Sequence, residues 1–375
     1  MRVALDSRFL RPPLEGFGRF TREIGQRLVR QHPDAAWDFL FDRPPIAEYT
    51  FGQNQRNFVL FPPTRHWLLY ELWWRWAVPA YLARHQPDVL LATYGQASVQ
   101  AAHRVRLIAF IHDVAFARYP DHLPKGWQRY YLRTTQTVVR HAATLLANSQ
   151  SVAYDLVELF NAPKERIRVV YNGCDTSFFR PISEAEQQAT RQRYTQGLPY
   201  LLYVGSFHPR KNLLHLFQAY DILRNWYKEP LRLLVVGRTL FGAKAFKRAY
   251  QRMRYRAEVI FHPPLGDEEL RKVYGAAEVL VYPSWYEGFG YPVVEAMACG
   301  TLVVTSNTSS LPEVGGAAAF YADPASPEAI AAQLYQALTL APAEREKRRL
   351  QGRAHAQNFS WEACVSRIWQ ALIEA

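Results

Sequence analysis

Between positions 283 and 300 the chain reads Pro-Ser-Trp-Tyr-Glu-Gly-Phe-Gly-Tyr-Pro-Val-Val-Glu-Ala-Met-Ala-Cys-Gly. Two carboxylates, Glu287 and Glu295, flank a bend at Gly288, Phe289 and Gly290. Carboxylates accept paired hydrogen bonds from vicinal hydroxyls, so riboses and hexoses are natural partners. The glycines let the backbone turn tightly and approach a ligand closely. Pro292 suits the first turn of a helix and Gly300 its carboxyl-terminal cap. The N–H groups of Gly290 and Tyr291 would then point outward at a helix N-terminus, a place that favours phosphate. This reading puts Glu287 in the loop and Glu295 in the first helical turn. A plainer reading is an acidic first turn that complements the helix dipole. The joint string is far more specific than either Glu alone, which favours the chemical reading.

A second group is Arg210-Lys211-Asn212, just before a helix expected from about Leu213. Two cations beside a helix N-terminus can neutralise a developing diphosphate charge without a metal. The sequence has no Asp-x-Asp pair, the usual carboxylate clamp for a divalent ion. His112-Asp113 follows an apolar run at residues 107–111, and Gly16-Phe17-Gly18-Arg19 follows the first apolar run. A single His after a strand is commonly a structural hydrogen bonder, and Gly-x-Gly alone is a weak phosphate signal.

The elements that must position these groups are legible as alternation. Apolar runs at residues 2–6, 38–41, 88–91, 107–111, 144–147 and 167–170 read as buried parallel strands. Helical patterns at 20–30, 66–85, 126–141 and 152–160 separate most of them. The pattern pauses near Asn172-Gly173 and Arg180-Pro181, then restarts with strands at 200–204, 231–236, 259–261, 279–281 and 302–305. Such βα alternation predicts an α/β fold of two doubly wound, Rossmann-like domains, 1–178 and 179–360, with parallel sheets facing a central cleft. A final helix at 361–375 is expected to pack back on the first domain.

Composition narrows the class. The 375 residues carry 45 Lys+Arg against 33 Asp+Glu, a formal charge of +12. Residues 1–178 hold 22 basic and 15 acidic side chains, so +7 of that excess lies in the first half. No long Lys/Arg tract occurs, which argues against a nucleic-acid partner. Three widely spaced cysteines without a C-x-x-C pair point to a reducing, cytoplasmic setting rather than disulfides or zinc. No apolar run reaches transmembrane length, and the start reads as a strand rather than a signal peptide. Trp67, Tyr70, Trp74 and Tyr81 share one helical face, which favours core packing. Docking of this Trp-rich helix on an anionic bilayer is the alternative. Arg238, Lys244, Lys247, Arg248, Arg252, Arg254 and Arg256 form a basic stretch without an acid, by default a solvated face.

The Glu287–Glu295 string resembles the signature of family 4 retaining glycosyltransferases of the GT-B fold. The resemblance extends over nearly the whole chain, through Gly16–Arg19, His112-Asp113, Ala147-Asn148-Ser149, the segment from Val170 to Asp175, Val204-Gly205-Ser206 and Arg210-Lys211-Asn212. It implies a donor-binding set of Gly16, Gly18, Arg210, Lys211, Glu287, Gly288, Phe289, Gly290, Tyr291 and Glu295. Within it Glu295 would bind the nucleotide ribose, Glu287 the sugar hydroxyls, and Arg210 and Lys211 the phosphates. It also implies an active-site role for His112 facing the reacting carbon, and front-face substitution without a metal or resident cofactor. The Gly16–Arg19 opening combined with His112-Asp113 and the Glu287–Pro292 string looks most like bacterial mannosyltransferases that use GDP-mannose on a glycan or lipid-linked saccharide. UDP-glucose and dTDP-rhamnose users share the scaffold. A UDP-sugar 2-epimerase or a non-catalytic polyanion-binding protein would leave the Glu-x7-Glu and Arg-Lys pairing unexplained.

Overall fold

Short runs of Val, Leu, Ile and Ala cannot be half-solvated without loss, and nearly all of them are buried on both faces of a sheet. A computed structural model describes the chain except Pro13, Glu15, residues 239–242 and Ala375. Among the described residues the strands form two sheets, both parallel throughout. The first contains β1 (Arg2–Asp6), β2 (Ala36–Phe41), β3 (Gln55–Val59), β4 (Val89–Ala92), β5 (Arg106–Ile111), β6 (Thr144–Ala147) and β7 (Ile167–Val169), in the order β3-β2-β1-β4-β5-β6-β7. The second contains β8 (Tyr200–Val204), β9 (Arg232–Val236), β10 (Val259–His262), β11 (Val279–Tyr282), β12 (Leu302–Ser306) and β13 (Phe320–Ala322), in the order β10-β9-β8-β11-β12-β13. In each sheet the winding reverses beside the first strand, between β1 and β4 and between β8 and β11. Ligands of doubly wound sheets lie outside the carboxyl ends at such a reversal.

The chain divides into Met1–Gly173 with Trp361–Ala375, and Cys174–Ser360. The boundary therefore falls before Cys174, not after Phe178. Residues 174–182 belong to the second unit because Cys174 N donates to Phe359 O at 2.7 Å and Phe179 packs on Tyr274 at 6.2 Å. Gly173 ends the first unit against Trp361, whose backbone and ring leave no room for a Cβ. The last helix, Trp361–Glu374, lies on the helix Gly16–Gln31, where Phe20 meets Trp361.

The expected helix at 66–85 is not continuous. Trp67–Leu72 and Val78–His85 are α-helical, but Trp73–Ala77 between them is a π turn. The wider turn sends both Trp73 and Trp74 inward, 0% and 2% exposed, together with Tyr70 and Tyr81. Trp67 stays half-exposed, so the inward face is Tyr70, Trp73, Trp74 and Tyr81. Tyr70, Trp73 and Trp74 enclose Arg8, whose guanidinium stands 5.0, 4.5 and 5.1 Å from their ring centroids and pairs bidentately with buried Asp6. None of the described helices is long and apolar enough to cross a membrane.

Candidate active site

The β8 and β11 strands end side by side at the reversal of the second sheet, and their following loops carry the charged groups. After β8, His208 Nδ1 accepts from Arg210 N at 3.2 Å and the short 3-10 turn Pro209–Lys211 follows. Asn212 closes it in the left-handed region, φ 60°, a conformation Asn tolerates better than most residues. Its side-chain amide donates to Pro283 O at 2.9 Å and Pro324 O at 2.8 Å, fixing the loop after β8 to the loop after β11. Trp285 N donates to Arg210 O at 2.9 Å. The cations are thereby anchored at their backbone before their side chains do anything.

Those side chains converge on Glu287. Arg210 Nη1 lies 3.0 Å from one carboxylate oxygen and Lys211 Nζ 2.6 Å from the other. Arg210 Nη1 also donates to Tyr286 O at 2.6 Å, and Lys211 Nζ donates to Tyr282 Oη at 2.6 Å. Glu287 is 6% exposed. Burial alone would raise its pKa, but the Lys211 and Arg210 charges outweigh that and hold it down at about 2. An acid of that strength stays ionised, so it is an electrostatic and hydrogen-bond-accepting group and not a proton donor. The cluster carries two positive charges against one negative. Sequence reasoning gave the Glu and the two cations to different parts of a ligand, whereas here they form one ion-paired group.

The backbone around Glu287 is held from the other side by residues the sequence did not single out. Glu287 N donates to Ser309 Oγ at 3.0 Å, with Ser309 itself at φ 54°. Ser310 Oγ donates to Glu287 O at 2.9 Å and to Phe289 O at 2.7 Å. A non-glycine residue held at positive φ beside an active-site candidate is stored strain of the kind functional loops carry. The signal in the sequence, Thr308-Ser309-Ser310 after an apolar run, is too common to have marked them.

Gly290 caps the helix Tyr291–Ala298 at φ 111°, a conformation that requires glycine. Pro292 sits in the first turn as expected from its missing N–H. Glu295, however, is the fifth helical residue, in the second turn. The dipole reading therefore fails for it. Its carboxylate, 3% exposed, accepts from Tyr274 Oη at 2.9 Å, a tyrosine on the helix Asp267–Ala276. Phe289 is 3% exposed and wedged against Tyr291 and Phe359 at 5.4 and 5.5 Å, so it anchors the loop from beneath. Gly288 is buried in the same loop and Tyr291 is half-buried at the helix start.

In the first unit, Gly16 and Gly18 do not form a loop. The helix begins at Gly16 and both lie in its first turn. Their roles differ: a Cβ on Gly18 would stand 2.4 Å from Phe9 O, while one on Gly16 would meet nothing within 4 Å. Gly18 is thus needed for close packing of the helix on the segment after β1, and Gly16 is open space. Gly18→Ala is expected to lose roughly 1–3 kcal/mol, the cost of overpacking against backbone. Gly16→Ala should leave stability unchanged or slightly raised, through better helix propensity. Thermal melts of the two variants compare them directly, and equal melting temperatures would remove the distinction.

His112 follows β5 and is ringed by Phe17, Phe20 and Phe110 at centroid distances of 5.0, 4.6 and 4.8 Å. Its Nε2 lies 2.8 Å from Thr93 O, an acceptor only, so Nε2 carries the proton and Nδ1 is the acceptor. Burial holds the pKa down at about 4, against the opposing pull of Thr93 O and Asp113. The imidazole is neutral at pH 7. Asp113 Oδ1 accepts from Ala115 N at 3.0 Å and so turns the chain after β5. Because the folded pKa lies below the unfolded value, the unfolded chain binds more protons between about pH 6.5 and 4. Stability should decline as pH falls through that window, and His112→Gln should flatten the decline in a pH series of melts.

Two family models match the chain: "Glycosyl transferases group 1" over residues 161–355 and "Glycosyltransferase Family 4" over residues 14–178. O-antigen chain mannosyltransferase B of Escherichia coli is 32% identical over 382 residues, covering 99% of each chain. Among solved structures, sucrose-phosphate synthase from Thermosynechococcus elongatus superposes with a TM-score of 0.81 at 21% identity, over 99% of this chain and 98% of its own. Anabaena Alr3699/HepE, solved in complex with UDP and glucose, gives 0.79 at 18% identity over the full length of both. The two parallel-sheet units are the α/β halves of a GT-B glycosyltransferase. The chain belongs to glycosyltransferase family 4, and within it resembles the O-antigen mannosyltransferases.

Proposed function

We propose that the chain transfers mannose from GDP-mannose, with retention, onto a glycan or lipid-linked saccharide in surface-polysaccharide synthesis. Its setting on this reading is the cytoplasm and the inner face of a membrane. The observation that carries the donor assignment is the Arg210–Glu287–Lys211 cluster at the β8/β11 reversal. Doubly wound sheets bind nucleotides there, and two cations with fixed backbones suit a diphosphate. The likeness to an O-antigen mannosyltransferase along the full chain supports mannose as the sugar.

In this mechanism the sugar C1–O bond to the β-phosphate breaks while the acceptor oxygen bonds to C1 from the same face. The acceptor proton passes to the departing phosphate oxygen. Arg210 and Lys211 stabilise the charge that grows on the diphosphate, which is the role a divalent ion plays in other transferases. Glu287, ionised throughout, accepts hydrogen bonds from sugar hydroxyls. Glu295 accepts from the ribose. On the first unit, His112 with Gly16 and Gly18 serves the reacting sugar and its acceptor.

The test is a donor panel of GDP-mannose, UDP-glucose and dTDP-rhamnose, assayed with a water-soluble saccharide acceptor, with and without EDTA. GDP should be released fastest, EDTA should not slow it, and NMR of the product should show the α-anomer of the donor. Release of UDP or dTDP instead would move the donor assignment while keeping the scaffold. Interconversion of a UDP-sugar without transfer, or no nucleotide release from any donor, would reject the transferase reading.

A further inference from the structure

Glu287 stands between two uses that conflict. As the donor-sugar carboxylate it must accept from hydroxyls, yet both of its oxygens already face a cation. Arg210 Nη1 lies 3.0 Å from one and Lys211 Nζ 2.6 Å from the other. A neutral hydroxyl is a weaker donor than an ammonium or a guanidinium, so a sugar does not displace either of them unaided. These are also the two cations that a diphosphate would take. Whatever draws them off Glu287 therefore decides whether the carboxylate can read a sugar.

The surroundings let the cations turn and keep the carboxylate still. Lys211 Nζ also donates to Tyr282 Oη, and Arg210 Nη1 also donates to Tyr286 O, each at 2.6 Å. Each cation thus has a neutral partner to keep while it exchanges Glu287 for a phosphate oxygen. The Lys211 and Arg210 side chains are 13% and 18% exposed, which leaves them open to an arriving anion. Glu287 cannot follow them. Its N–H donates to Ser309 Oγ at 3.0 Å and its carbonyl accepts from Ser310 Oγ at 2.9 Å, so its backbone is held from both sides. Tyr282 is buried, and burial together with the Glu287 charge keeps its phenol protonated, with Glu287 as a hydrogen-bond partner. It holds its place beside the carboxylate when Lys211 turns. A diphosphate bound alone would leave a buried carboxylate without its cations, which is strongly unfavourable. A sugar bound alone would have to compete with those cations. Bound together, each part of the donor relieves the other, because hydroxyls fill the acceptor positions that the cations leave. A coupling of this kind is reciprocal.

We propose that the diphosphate unmasks Glu287 by taking Arg210 and Lys211 from it, so that the sugar ring is held tightly only when both phosphates are present. The inference rests on the donor assignment given under Proposed function. It makes Glu287 the residue that selects a diphosphate-activated sugar over a free sugar or a sugar monophosphate. The test divides the donor into its parts. Inorganic pyrophosphate is titrated by calorimetry into the full chain, alone and with the 1,5-anhydro forms of mannose, glucose or rhamnose. These sugars lack the anomeric oxygen, which the pyrophosphate supplies. The matching sugar should tighten pyrophosphate by about fivefold or more, and pyrophosphate should tighten that sugar by the same factor. Inorganic phosphate in place of pyrophosphate should give a smaller effect. Lys211→Met should bind the anhydro sugar more tightly without pyrophosphate and bring the coupling to within about twofold of none. Arg210→Met should behave likewise, so the comparison does not depend on one variant. A coupling that persists unchanged in both variants would come from direct contact between the two ligands and would overturn the exchange. So would a pyrophosphate affinity that none of the sugars alters, or that one of them weakens. Failure of the wild type to bind pyrophosphate at all would instead remove the diphosphate assignment beneath it. Coupling as expected in a chain that transfers no sugar would keep the exchange and reject the transferase reading.

Discussion

Lys211→Met should lower the transfer rate by about 10²–10³-fold, the usual size of losing one preorganised charge that meets a developing oxyanion. The loss should fall mainly on kcat, because the charge on the departing diphosphate is larger in the transition state than in the bound donor. Lys211 is suited to this by its surroundings. Its ammonium is 13% exposed, held between Tyr282 Oη and Glu287 at 2.6 Å each, and lies 5.1 Å from the Tyr282 ring centroid. A cation fixed this way loses little freedom when a phosphate arrives. The fold should survive, because Arg210 still pairs with Glu287 and the loop is anchored through Asn212 and not through Lys211. A wild-type kcat in Lys211→Met, with an unchanged melting temperature, would refute the phosphate assignment. Lys211→Arg is a useful companion: a planar fork cannot replace a point charge seated between two oxygens, so only partial rescue is expected.

How much of this was legible beforehand depended on whether the signal was local. Strands such as 2–6, 144–147 and 200–204 show in the sequence at the bounds they have, because a buried parallel strand is a short apolar run and little else. β3, Gln55–Val59, carries no such signal: its sequence is Gln-Arg-Asn-Phe-Val, and it is an edge strand, mostly exposed, held by backbone pairing to β2. β13 is only Phe320–Ala322, too short to carry a period. The motif residues Arg210, Lys211 and Glu287 were named from the sequence, but their mutual ion pairing was not, since it depends on β8 and β11 lying together across 70-odd intervening residues. Asn212, Ser309 and Ser310 escaped for the same reason. Their work is hydrogen bonding to distant backbone, and nothing in their own sequence neighbourhood reports it. The π turn was hidden too, because two adjacent tryptophans facing inward contradict the α-helical period that made the helix recognisable.

Glu287→Gln separates the electrostatic roles in this cluster more sharply than any substitution of the cations. Glutamine keeps the shape but removes the charge, leaving Arg210 and Lys211 side by side with no carboxylate between them. Removing one partner from a buried ion pair costs roughly 3–5 kcal/mol, and the low end is expected here because the two cations retain some exposure, 18% and 13%. The pH dependence should change with it. Glu287 is held down at about 2, so its pairing stabilises the fold above the ordinary carboxylate range and is lost as pH falls from about 4.5 towards 2. In the variant that acid limb should flatten. Inorganic pyrophosphate, by contrast, should raise the melting temperature of Glu287→Gln more than that of the wild type, because the added anion then meets two cations that Glu287 no longer neutralises. Transfer should nevertheless collapse, since the amide cannot accept from sugar hydroxyls as the carboxylate does. Stronger pyrophosphate stabilisation with lost transfer is the signature of a donor-sugar carboxylate that also tempers a phosphate site. A variant that is merely less stable, with pyrophosphate giving no added protection, would reduce Glu287 to a structural counter-ion and return the diphosphate to other groups.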